Sequence, residues 1–143
     1  VTAEKLKREI GCVKKRPVEV GMTVSGLNLY SGLPESFEIT TTELLGVMRE
    51  TAFEIIAAIQ NVFEHTAPEM IADTSVDGII LTGGGALTYG MVELLEERLE
   101  TKINLVDDPI NCVVKGIGKA LSNFKMLRNS DYQFRSLEDL KIE

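Results

Sequence analysis

The sequence predicts a mixed α/β fold, and three observations carry that expectation. The first is Ile79-Ile80-Leu81-Thr82-Gly83-Gly84-Gly85-Ala86-Leu87, a short apolar run that enters a triple-glycine turn. A helical stretch at 89–99 and a second apolar run at 103–106 follow it. Two apolar strands with a helix between them make a parallel unit that crosses over right-handed. The second observation is an alternation in which Val18, Val20, Met22 and Val24 are separated by Glu19, Gly21 and Thr23. It reads as a strand over 18–30, returning at 36–40 as an antiparallel hairpin. The third is a long helical pattern that begins after Thr40 and reaches about His65.

Taken in order, residues 2–10 read as a helix with Thr2 as its N-cap and Gly11 as its stop. Glu4, Lys7 and Arg8 stand three and four apart, so they share one face. Such a trio is ordinarily an exposed ion pair; it becomes a binding face only if something lies opposite. Lys14-Lys15-Arg16-Pro17 is a solvated basic connector. Ser31-Gly32-Leu33-Pro34 turns the hairpin, and Gly26 suggests a bulge or added twist in it.

Thr40 precedes Glu43 by three residues, a capping-box signature for the long helix. Leu44, Leu45, Met48, Ile56 and Ile59 belong to its broad apolar face, and Gly46 suggests a bend. His65, the only histidine, falls in the last turn with no partner for catalysis. Pro68 opens a short helix over 68–72, and Asp77-Gly78 turns into the strand 79–81. A last helix is expected over 110–128, and a polar, mobile tail over 130–143.

Composition narrows the function. The 143 residues carry 15 Lys and Arg against 22 Asp and Glu, a net charge of −7. No basic stripe interleaved with aromatics is present, which argues against nucleic acid as a partner. Cys12 and Cys112 form no C-x-x-C and have no histidine cluster, so they read as reduced thiols rather than a disulfide framework or metal site. No apolar run reaches membrane-spanning length, and no signal peptide is seen. A start at Val1, directly in helical pattern, leads us to expect a piece of a larger protein.

The triple glycine is where chemistry is expected. Glycines permit positive φ and let a ligand approach backbone that a Cβ would shield. Open α/β sheets bind ligands at such strand ends. A tight turn without a ligand would need only one glycine. The dinucleotide fingerprint does not fit, because no G-x-G-x-x-G can be counted from Gly83 or Gly85.

The chain as a whole resembles the C-terminal part of MreB, the bacterial actin-like rod-shape-determining family. Thr2-Ala3-Glu4-Lys5-Leu6-Lys7-Arg8-Glu9-Ile10-Gly11, Ser31-Gly32-Leu33-Pro34 and the Leu81-Thr82-Gly83-Gly84-Gly85 motif carry the resemblance. So does the ending Asp107-Asp108-Pro109-Ile110-Asn111-Cys112, continued by Gly116-Ile117-Gly118-Lys119-Ala120-Leu121. The glycine motif alone would indicate only the actin-fold ATPases, among them sugar-kinase relatives; the Asp-Asp-Pro ending favours MreB.

The resemblance implies the C-terminal half of an actin-like ATPase fold. Residues 1–17 and 67–129 would belong to an incomplete larger lobe, and 18–66 to a smaller inserted lobe. It also implies the adenosine half of an ATP site. Glu4 would accept from ribose hydroxyls, Lys7 would donate to ribose or base, and Arg8 would cover the base edge. Gly83, Gly84 and Gly85, with Ala86 and Leu87, would let the nucleotide lie on backbone.

The family pattern is not complete here. Asp-x-Gly-[Ser/Thr] loops for phosphate and Mg²⁺ do not occur, and Asp77-Gly78 has the wrong spacing. Mg²⁺ and the catalytic residues would thus lie outside this chain, which alone is expected to be inactive. The implied partners are further filament subunits and other cell-shape and cell-wall synthesis proteins. The implied location is the cytoplasm, against the inner face of the membrane through parts absent here. The alternative reading is a filament or interaction module of the same fold that binds no nucleotide.

Overall fold

The computed structural model describes residues 2–123. In chain order the elements are α1 (Thr2–Ile10), β1 (Gly21–Leu27), β2 (Pro34–Thr40), α2 (Thr41–Glu64), α3 (Pro68–Asp77), β3 (Ile79–Leu81), α4 (Met91–Leu99), β4 (Ile103–Leu105) and α5 (Cys112–Ser122). A 3₁₀ turn, Gly84–Leu87, joins β3 to α4. The last helix is shorter than the expected 110–128: it starts at Cys112 and ends at Ser122, with Asn123 as its C-cap. The expected tail over 130–143 lies outside the described residues.

β1 and β2 form an antiparallel pair in continuous register from Gly21↔Thr40 to Leu27↔Pro34. Gly26 faces Glu35 in that ladder, so there is no bulge at Gly26. β2 starts at Pro34, earlier than the expected 36, while β1 is confined to Gly21–Leu27 rather than 18–30. The end of β1 is set by Asn28, which starts the turn early. Its side-chain oxygen accepts from the amides of Tyr30 and Ser31, and its backbone oxygen accepts from Gly32. Gly32 takes φ +69, which the turn requires.

The capping box at the start of α2 is complete. The Glu43 amide donates to Thr40 Oγ1, and the Thr40 amide donates to Glu43 Oε2 at 2.7 Å. α2 then runs 24 residues without interruption, so Gly46 marks no break. Its apolar face is only partly used: Ala52 and Ile56 are buried, while Val47 and Val62 remain exposed.

β3 and β4 pair in parallel, Ile79↔Ile103 to Leu81↔Leu105, with α4 as the crossover. One apolar cluster joins Val13, Ala52, Ile56, Leu94, Leu95 and Ile103. A second joins Leu6, Ile10 and Val24. Thus α2 packs against the crossover helix, and α1 packs against the hairpin. No described helix is long and apolar enough to cross a membrane.

Candidate functional site

The end of α1 and the glycine turn meet through the backbone. The Gly11 amide closes α1 on the Leu6 and Lys7 carbonyls, each at 3.1 Å. The chain then makes an isolated parallel bridge, Cys12↔Tyr89, in which the Val13 amide donates to the Tyr89 carbonyl at 2.9 Å. This sets the polar face of α1 across from the turn, and between them lies a cleft of about 720 Å³.

Of the expected residues, Glu4, Lys7, Arg8, Gly84, Gly85 and Leu87 line this cleft. Gly83 and Ala86 stand off its wall; Ala86 is buried, and Gly83 takes φ +89 with its amide bonded to the Pro109 carbonyl at 2.8 Å. Positive φ is therefore confined to Gly83 within the triple glycine. Gly84 and Gly85 sit in the 3₁₀ turn with ordinary φ, and a Cβ on either would meet nothing closer than Ile110 Cγ1 at 4.0 Å. Neither backbone strain nor internal packing demands glycine there. What their missing side chains preserve is open space in the cleft.

Sequence reasoning missed Gly11, Arg16, Thr88, Tyr89 and Ile110, which also line the cleft. The Arg16 guanidinium carbon lies 4.4 Å over the Tyr89 ring centroid. No local motif could have announced this, since the pair is created by the Cys12↔Tyr89 bridge.

Lys7 Nζ and Glu4 Oε2 are 2.7 Å apart. The Glu4 carboxyl is held below its ordinary range, first by the hydrogen bond from Lys7, against a smaller desolvation, with the charges of Lys7 and Arg8 assisting. Lys7, Arg8 and Arg16 outnumber Glu4 around the cleft, so this face of an acidic chain is locally cationic. The arrangement suits a polar, electron-rich ligand with hydroxyls for a carboxylate to accept from. Among the described residues no cluster of metal ligands occurs.

A family model described as MreB/Mbl protein matches residues 1–129. The chain belongs to the MreB/Mbl family. It is 36% identical over 125 residues to the cell shape-determining protein MreB of Escherichia coli (strain K12), covering 87% of this chain and 36% of that protein. It is 34% identical over 126 residues to the cell shape-determining protein Mbl of Bacillus subtilis (strain 168), covering 88% and 38%. The chain thus spans somewhat over a third of the length of these relatives.

Its fold is that of the same portion of an actin-like protein. MreB5 of Spiroplasma citri bound to ADP superposes with a TM-score of 0.84 at 28% identity, over 90% of this chain and 40% of that one. The same MreB5 bound to AMPPNP gives 0.82 at 29% identity, over 87% and 38%.

Proposed function

We propose that this chain supplies the adenosine half of an ATP site in an actin-like, cell-shape-determining filament protein. One observation carries the reading. Gly84 and Gly85 keep a cleft wall free of side chains although neither φ nor packing requires it. Opposite them, Glu4 offers the acceptor a ribose diol needs, and Lys7 and Arg8 offer donors. The solved relatives with ADP and AMPPNP bound support the choice of an adenine nucleotide.

In this reading the larger lobe comprises 1–17 and 67–129, and the smaller lobe comprises 18–66. Phosphate and Mg²⁺ would be held by residues outside this chain, as would any contact with the membrane. The complete protein would polymerise with its own kind and guide cell-wall synthesis at the inner face of the membrane.

Calorimetric titration of the complete protein with ADP tests the site, with Gly84→Val beside it. Binding by the wild type and its loss in the variant are expected. Absence of binding by the wild type would overturn the reading. It would favour a filament module without nucleotide, a second reading to which the Glu4–Lys7 pair lends some weight because it is satisfied without any ligand.

A further inference from the structure

Arg16 comes from the basic connector, where charge alone suggested a solvated side chain. Its surroundings say otherwise. Its guanidinium lies over Tyr89, the residue that leaves the glycine turn, and its Nη2 donates to the Gly11 carbonyl at 3.4 Å. Gly11 ends α1, so Arg16 touches both walls of the cleft it lines. Its Nε is shielded from solvent and finds no partner among the described residues.

A guanidinium carries five N–H donors and no acceptor. Here one donor makes a long bond, and the shielded Nε makes none. The Nη groups at the end of the fork keep further donors that a ligand acceptor in the cleft can use. The planar group is also pre-oriented by the tyrosine ring, so little side-chain freedom remains to be lost on binding. A purine carries ring-nitrogen acceptors and a face suited to extending such a stack.

We propose that Arg16, seated on Tyr89, is a further ligand contact of this cleft and donates to the nucleobase end of the bound nucleotide. This rests on the adenine-nucleotide reading of the site. Arg16 then works beside Glu4 and Lys7 on the nucleoside, and the phosphates lie beyond its reach. Tyr89 acts through Arg16, as a positioning residue.

The test is calorimetric titration of the complete protein with adenosine and with ADP, for the wild type, Arg16→Ala, Arg16→Lys, Tyr89→Phe and Tyr89→Leu. Arg16→Ala should weaken both ligands by the same factor, about tenfold, as expected when a charged hydrogen bond is lost. Tyr89→Leu should mimic it, Tyr89→Phe should stay near wild type, and Arg16→Lys should fall between because the planar fork is gone. Melting without ligand is recorded for each, and Arg16→Lys keeps the charge should Arg16→Ala fail to fold. If the wild type binds and Arg16→Ala and Arg16→Lys bind equally well, this proposal alone fails. A loss for ADP but not for adenosine would place Arg16 on phosphate and overturn it. No binding by the wild type would overturn it together with the nucleotide reading.

Discussion

Lys7 Nζ lies 2.7 Å from Glu4 Oε2, one turn back along α1, and both side chains line the cleft facing the glycine turn. The pair holds the Glu4 carboxyl below its ordinary range. A carboxyl whose folded-state pKa is depressed adds stability above its unfolded pKa and loses it as pH falls through the folded value. The melting-temperature difference between wild type and Glu4→Gln should therefore be steady near neutrality and fade in strong acid. It should be small throughout, because the pair is exposed. A difference that grew on acidification would contradict this assignment.

The three glycines should respond differently to substitution. Gly83→Ala forces a Cβ into φ +89, ψ 161, a region essentially reserved for glycine, and should lower stability by about 1–3 kcal/mol, read as a drop in melting temperature. Gly84→Val has room within the chain and ordinary φ, so its melting temperature should stay close to wild type. Its nucleotide affinity should fall by at least about tenfold, since the branched side chain would project into the cleft. Calorimetry paired with thermal melts separates the two effects.

The isolated chain should show no ATPase activity. Phosphoryl transfer depends on groups that position and neutralise the phosphates, and the sequence has no Asp-x-Gly-[Ser/Thr] loop for that task. Magnesium-dependent turnover by the purified chain, abolished by Gly84→Val, would refute this expectation.

The isolated chain should also self-associate. Among the described residues β3 is hydrogen-bonded to β4 alone, which leaves its other edge open. Ile80 on β3 is 72% exposed, and Val113, Val114, Ile117 and Leu121 of α5 are exposed as well. Open edges beside apolar surface recruit other chains. Light scattering over a concentration series should show mass rising with concentration. Ile80→Lys should reduce the effect, and a strict monomer at all concentrations would dismiss it.

Local signals in the sequence were read well where the physics is local. The Thr40–Glu43 capping box is an i,i+3 reciprocity, and the structure contains both of its bonds. The βαβ unit follows from two apolar runs with an amphipathic helix between them, and β3 and β4 do pair in parallel. Boundaries shifted where side chains captured backbone. Asn28 ended β1 before residue 30 in this way; at α4 the cause is the backbone itself, where Gly90 in the left-handed region delays the helix to Met91. The pattern also showed Thr2 as a cap, whereas it is already helical.

The site was half legible. Glu4, Lys7 and Arg8 could be grouped by helical spacing, and Gly84 and Gly85 stood out by composition. Arg16 and Tyr89 could not be joined, because only the tertiary bridge brings the connector beside the turn. Nor could spacing tell that only Gly83 needs glycine for its backbone while its two neighbours do not.

The Val13–Tyr89 main-chain bond has a kinetic consequence. It is the stitch between the two sides of the cleft next to Cys12, and the Val13 side chain beneath it is 1% exposed. Widening the gap at that point means breaking this bond and lifting Val13 out of the apolar cluster. The Val13 amide should then trade its proton for deuterium only when the walls part, so its protection measures how often the gap opens. A molecule bridging the walls would slow that exchange without touching Val13 at all.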